Sequence, residues 1–333
     1  MDCNTRREQW LEKITYKGIK MKLTPAENYL EAIRFGSPEY MPRGNEDIFH
    51  RIQLKGHFNY ANWTDPWGVR WVMDMPGTSP FPKGNPLPDI RKLEDYKLPD
   101  PDTIFQDMEE EKRKIKEAKA QGKLIDGGYS YFIFERVWAL MGLENFLAAL
   151  IEEPELTHEL LHKIAVFAKR VFANMLELGA DMISFSEDLG TQRALMFSPK
   201  HFEEFFLPEY RFAFEDVLKE GKMINFHSCG CVESIVQGLA DIRVSVLNPV
   251  QARANDLAGI KKVTLGKTAL CGAVDSHLLL VGSIREVRDE TARVIEILKP
   301  GGGYICAPDQ GFPEFPQENI DAMYETAVEM GLY

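Results

Sequence analysis

Lys222–Val232 reads KMINFHSCGCV, and Gly301–Gly311 reads GGGYICAPDQG. Each is a short apolar run that breaks into a loop carrying soft donors. Lys222 to Phe226 reads as a buried strand, and His227-Ser228-Cys229 follows at its C-terminal end. Tyr304-Ile305-Cys306 reads as a second strand, entered through three glycines and left through Pro308. Two thiols and an imidazole make a zinc-type ligand set, and three protein ligands leave one position open, as at a catalytic zinc. The competing reading is that these cysteines are small buried apolar residues. His-x-Cys alone is a common chance pattern, and the distant Cys306 gives it weight. No C-x-x-C pair of the zinc-finger kind occurs. Cys231 lies past a glycine turn and reads as a bystander.

Working outward, the strand before His227 belongs to a regular alternation. Thr24-Pro25-Ala26-Glu27 starts a helix, with Thr24 as N-cap and Glu27 closing a capping box. Arg43–Phe49 reads as a first strand. From Met108 the pattern repeats helix, strand, helix, strand. Strands are expected near 123–127, 181–186, 223–226, 244–247, 269–273 and 303–305. Helices are expected near 135–151, 156–178, 199–220, 232–239, 257–263, 284–298 and 319–330. Such alternation implies a parallel sheet. Its length favours an α/β fold of the closed (β/α)8 TIM-barrel kind. A doubly wound sheet is the alternative, but no G-x-G-x-x-G follows a strand. Residues 1–22 read as a polar N-terminal extension, and 23–333 as one barrel domain. Residues 62–102 form a long Trp/Pro-rich loop insertion with Trp63, Trp67 and Trp71, read either as a satellite core or as an aromatic wall over a substrate.

In a barrel, the strand C-termini share one mouth. Glu187, Asp188, His227, Cys229, Asn248, Asp275 and Cys306 all fall there. Glu187 is expected as a displaceable fourth metal ligand or proton carrier. Asp188 could share that role with Glu187, line the pocket, or act as a helix cap or ion-pair partner, with Glu187 the first expectation for the metal. Tyr129, Tyr131, Gln251 and Asp275 are further pocket-lining candidates, with a helix-start role equally open for Asp275.

The chain has 333 residues, 44% of them hydrophobic, and a net charge of −12. With no Lys/Arg cluster, nucleic-acid binding is not expected. No apolar run reaches the ~20 residues of a membrane span. MDCNTRREQW has no apolar core of a signal peptide. Five cysteines, two of them one residue apart in a glycine loop, do not read as a disulfide framework. A cytoplasmic location is the expectation.

Longer phrases carry a family resemblance: SEDLGTQRALMFSP (186–199), NFHSCGCVESIV (225–236), SVLNPVQARANDL (245–257), LCGAVDSHLL (270–279) and GGGYICAPDQGFPEFPQENIDAMYE (301–325). From Thr24 to Tyr333 the chain resembles the uroporphyrinogen decarboxylase superfamily, in the branch of zinc-dependent methyltransferases that act with corrinoid (cobalamin) proteins, the methylcobamide:coenzyme M methyltransferases among them. The resemblance implies zinc on His227, Cys229 and Cys306. It also implies methyl transfer between a small methylated substrate or thiol and the cobalt of a separate corrinoid protein. The chain has no D-x-H-x-x-G of its own to hold a corrinoid. True uroporphyrinogen decarboxylases carry an Arg-rich stretch where this chain has Pro42-Arg43-Gly44-Asn45-Glu46-Asp47. Those acidic groups disfavour a polycarboxylate substrate. A decarboxylase-type enzyme and a non-catalytic barrel binding protein remain the alternatives.

Overall fold

The computed structural model describes residues 15–16, 19–54, 62–74, 80–105, 108–311 and 314–333. Most of the N-terminal extension lies outside these residues. Seven parallel strands form one curled sheet among them. They are β1 (Phe49–Arg51), β2 (Leu124–Tyr129), β3 (Met182–Ser186), β4 (Met223–His227), β5 (Val246–Val250), β6 (Ala269–Val274) and β7 (Tyr304–Pro308). Each strand hydrogen-bonds the next in sequence, the order that βαβ crossovers produce.

The expected eighth strand does not appear among the described residues. One segment serves both sheet edges instead. Gly44 N–H donates to the Cys306 carbonyl and Cys306 N–H to the Pro42 carbonyl, each at 2.9 Å. A few residues on, Leu124 N–H donates to Ile48 and Ile52 N–H to Asp126. The first strand therefore starts at Phe49, where the expectation had it end. β3 ends at Ser186 as expected, and the other five strands run one to three residues beyond their expected ends, because apolar periodicity fades where strands reach the mouth.

Helix α1 (Pro25–Ile33) is started by the capping box: Thr24 Oγ1 accepts from Glu27 N–H, and Glu27 Oε2 accepts from Thr24 N–H at 2.9 Å. Its Ala26, Tyr29 and Ile33 pack with Leu124, Met182, Met223, Val246, Ala269, Cys271, Ile305 and Ala307, closing the N-terminal end of the sheet's inner face. The alternate residues, among them Ile125, Ile183, Phe185, Ile224, Phe226, Leu247, Leu270 and Tyr304, belong to the larger core shared with the surrounding helices. This is the period-two alternation of strands.

The helix expected over 135–151 is two, α2 (Phe134–Met141) and α3 (Leu143–Glu152), broken at Gly142, whose φ of 86° suits glycine. The expected 199–220 helix also contains a π turn at Phe202–Phe206.

The Trp-rich stretch folds as a three-stranded antiparallel sheet of Trp63–Thr64, Arg70–Val72 and Phe81–Lys83. Trp67 and Trp71 are buried in the main core, so the core reading holds for them. Asp65 organises the hairpin. Its carboxylate accepts from Trp67 N–H, Val69 N–H and Trp71 Nε1–H, all at 2.9 Å, and pairs with the buried Arg136 guanidinium. Arg136 also lies over the Trp67 ring, 5.0 Å from its centroid. Removing one member of a buried ion pair strands the other. Asp65→Ala is therefore expected to destabilise the fold by about 3–5 kcal/mol, read as a lower urea midpoint at unchanged slope. A loss under about 1 kcal/mol, the level of an exposed pair, would contradict this account of the hairpin.

Candidate metal centre

His227 is the last residue of β4, and Cys229 lies two positions on, so both project to the same side of the extended chain. The loop that follows needs its glycine. Gly230 has φ of 83°, and a Cβ there would lie 2.3 Å from the Gly190 backbone. This close approach presses the β4 loop onto the loop after β3. Cys229 N–H donates to Asp188 Oδ1 at 3.1 Å, Leu189 N–H to Ser228 Oγ at 3.1 Å, and Cys231 N–H to the Thr191 carbonyl at 2.7 Å.

Asp188, His227 and Cys229 are thereby gathered, with one ligand atom from each lying within 4.8 Å of the others. His227 Nε2 is 3.5 Å from Cys229 Sγ and 3.5 Å from Asp188 Oδ1. On its far side, His227 Nδ1 lies 3.1 Å from Asn248 Oδ1. With the proton on Nδ1, the Nε2 lone pair faces the group, the arrangement in which a second partner orients a ligating imidazole. An imidazole, a thiolate and a carboxylate are all zinc donors, so the set fits that ion.

The electrostatics suit a cation. Burial works against a charged His227, but the Asp188 carboxylate and Asn248 outweigh it and raise its pKa. Burial and the Asp188 charge push the Cys229 thiol well above its usual range. Burial also opposes ionisation of Asp188, yet the His227 and Cys229 contacts bring its pKa below the usual value.

Glu187 takes a different part from the one expected. Its carboxylate accepts from the N–H groups of Ile133, Phe134 and Glu135 at 2.6, 2.9 and 3.0 Å, and from Tyr210 Oη–H at 3.0 Å. It caps the buried start of α2, and its lone pairs are committed there. Asp188, one residue on, is the carboxylate that joins His227 and Cys229. Burial nevertheless pushes Glu187 up to about 7.

Cys306 lies in the middle of β7, in register with Gly272, and is fully buried in the core shared with the helices. Its neighbours Ile305 and Ala307 face the inner cluster. Cys306 is not part of the three-donor group, and burial pushes its thiol up to about 12. Cys231 also stands outside the group.

Among the pocket candidates, Tyr129, the last residue of β2, is buried against Phe132, Phe167 and Phe172 in the core shared with the helices. Tyr131 stacks on Trp71 at 4.1 Å and lies close enough to Glu135 and Asp188 to feel their charge. Asp275 caps the short helix Ser276–Val281 and pairs with Arg253, the helix-start role. Gln251 does reach the site: it accepts from Gly230 N–H at 2.9 Å.

Two site residues escaped the sequence reading. Gln310 Oε1 lies 3.3 Å from Cys229 Sγ. Glu135 sits buried beside the group, and burial, then the Asp188 and Glu187 charges, push it up to about 8. Neither belongs to a recognisable ligand motif. The nearest signal for Glu135 was its place at the start of an apolar helix.

The His-Cys-Asp group lies at the strand C-termini, where β/α barrels carry their active sites. The uroporphyrinogen decarboxylase (URO-D) family profile matches residues 73–330. The chain belongs to this family. No curated protein matches the sequence. Among solved structures, a methyltransferase from Methanosarcina mazei matches with TM-score 0.74 and 19% identity, over 92% of this chain and 99% of that one. A B12-independent methionine synthase from Shewanella sp. W3-18-1, in complex with selenomethionine, matches with TM-score 0.47 and 12% identity, over 68% of this chain and 66% of that one.

Glu135, Glu187 and His227 all have folded-state pKa values above their ordinary ones. Folding then binds protons, and the stability they contribute is lost as pH rises through these values. Chelator-treated protein is expected to become less stable from about pH 5 to 8.5, and Glu135→Gln to flatten part of that slope. Denaturant midpoints across the range check this; a slope unchanged in the variant would contradict it.

Proposed function

We propose that the protein is a zinc-dependent methyltransferase. It would move a methyl group between a small methylated substrate or thiol and the cobalt of a separate corrinoid protein. The observation that carries the reading is the convergence of Asp188, His227 and Cys229 within 4.8 Å at the strand C-termini. The fold shared with the Methanosarcina methyltransferase supports it.

Zinc bound there supplies a Lewis acid that holds a substrate thiol as its thiolate or draws charge from a methylated oxygen or sulfur. The chain's own residues set the geometry. Asn248 fixes the His227 ring, and the Cys229 backbone N–H fixes the Asp188 carboxylate. Burial and the Asp188 and Glu187 charges push the Glu135 carboxyl up to about 8, which favours its neutral form beside the metal-free group. Tyr131, stacked on the buried Trp71, lies close enough to Glu135 and Asp188 to feel their charge. Arg43, the cation of the region where true decarboxylases are Arg-rich, is paired with Glu46 at 3.1 Å. That pairing disfavours the decarboxylase reading. No helix among the described residues is long and apolar enough to cross a membrane.

Purified protein is expected to hold about one zinc per chain. Cys229→Ser should lose most of it, and Cys306→Ser and Cys231→Ser should keep it. Elemental analysis decides, and a Cys306→Ser protein without zinc would bring β7 back into the ligand set. For activity, the enzyme is mixed with a cobalt(I) corrinoid and a panel of methoxy, methylthio and methylamine compounds, and separately with methylcobalamin and a panel of thiols. Methyl-cobalt gain or loss, absent in His227→Ala, is the expected result. Silence on both panels together with turnover of uroporphyrinogen would overturn the proposal.

A further inference from the structure

The loop after β7 brings a carboxamide to the group. Gln310 Oε1 lies 3.3 Å from Cys229 Sγ, closer than the 3.5 Å from that sulfur to His227 Nε2. An amide's oxygen and nitrogen are distinguished only by their partners, and here the partners form a chain with one solution. Gly230 N–H can only donate, and it meets Gln251 Oε1 at 2.9 Å. Gln192 Nε2 approaches the same oxygen at 3.0 Å. The other end of the Gln251 amide is therefore its NH2, and it faces Gln310 at 3.4 Å. The Gln310 atom that receives it is an oxygen. Gln251 is buried, so its orientation is held by the fold.

That oxygen accepts the hydrogen bond of the Cys229 thiol. Gln310 Oε1 thus meets, at Cys229 Sγ, the donor group in which Asp188, His227 and Cys229 lie within 4.8 Å of one another. We propose that the Gln310 carboxamide oxygen is a fourth protein ligand of a metal ion held by Asp188, His227 and Cys229, aimed there by Gln251. This rests on the metal-centre reading and extends it. The ligand set expected from the sequence held two sulfurs, whereas this one holds a single sulfur, one nitrogen and two oxygens.

The test uses the full-length protein with zinc and with cobalt(II) as a spectroscopic probe. Zinc affinity is measured by chelator competition for the wild type, Cys229→Ser, Gln310→Ala, Gln310→Glu and Gln251→Ala. Gln310→Ala is expected to bind zinc about 10–100-fold more weakly, with altered cobalt(II) ligand-field bands. Gln310→Glu keeps an oxygen and should retain affinity. Gln251→Ala leaves Gln310 unaimed and should fall between wild type and Gln310→Ala. Circular dichroism of the metal-free variants separates lost ligation from lost folding, and Gln310→Glu carries the comparison should Gln310→Ala misfold. Wild-type affinity and an unchanged cobalt spectrum in Gln310→Ala, with Cys229→Ser impaired, would overturn this inference alone. A wild type that binds neither ion would overturn the metal centre and this inference with it.

Discussion

The backbone hydrogen bond from Cys229 to Asp188 is the contact on which the site depends. It joins the loops after β3 and β4. Without it the carboxylate would have no fixed relation to the thiol. Its geometry requires Gly230, because only a residue without a side chain lets the two loops touch. The parallel sheet brings the strand ends together, and this contact turns nearness into a defined set of donors. Asn248 and Gln251, from β5 and just beyond it, hold the imidazole and the Gly230 backbone from the other side.

Three acidic residues share this small volume, and their surroundings give them different work. Glu187 is spent on a helix start, with four hydrogen-bond donors on its carboxylate. Asp188, half-exposed and contacted by His227 and the Cys229 N–H, is kept ionised. Glu135 has Ser186 as its side-chain partner and two carboxylates nearby, so burial and repulsion favour its protonated form. Titratable groups driven apart in this way are a mark of functional sites. Glu187 and Asp188 part where the chain turns past the end of β3, and Glu135 comes from the start of α2.

Much of this was legible in the sequence. The capping box at Thr24 and Glu27 announced α1, and the strand–helix alternation announced the parallel sheet. His227 and Cys229 were readable as a pair because two-residue spacing on an extended chain keeps side chains together. Glu187 against Asp188 was not decidable, since neighbouring residues at a strand end point opposite ways and the sequence does not say which meets the helix. The same alternation misplaced Cys306. It shares the face of Tyr304, towards the helices, while Ile305 and Ala307 take the inner face. Gln310 was invisible for another reason. An amide has no motif as a donor, and its role depends on Gln251, 59 residues away in the chain.

The central claim is a metal centre built on one sulfur. X-ray absorption at the zinc edge of the purified protein measures that directly. The account predicts a single sulfur at about 2.3 Å, with the remaining ligands nitrogen and oxygen at about 2.0–2.2 Å. Two sulfur scatterers would contradict it, and would mean that a second thiol, Cys306 first among them, reaches the ion.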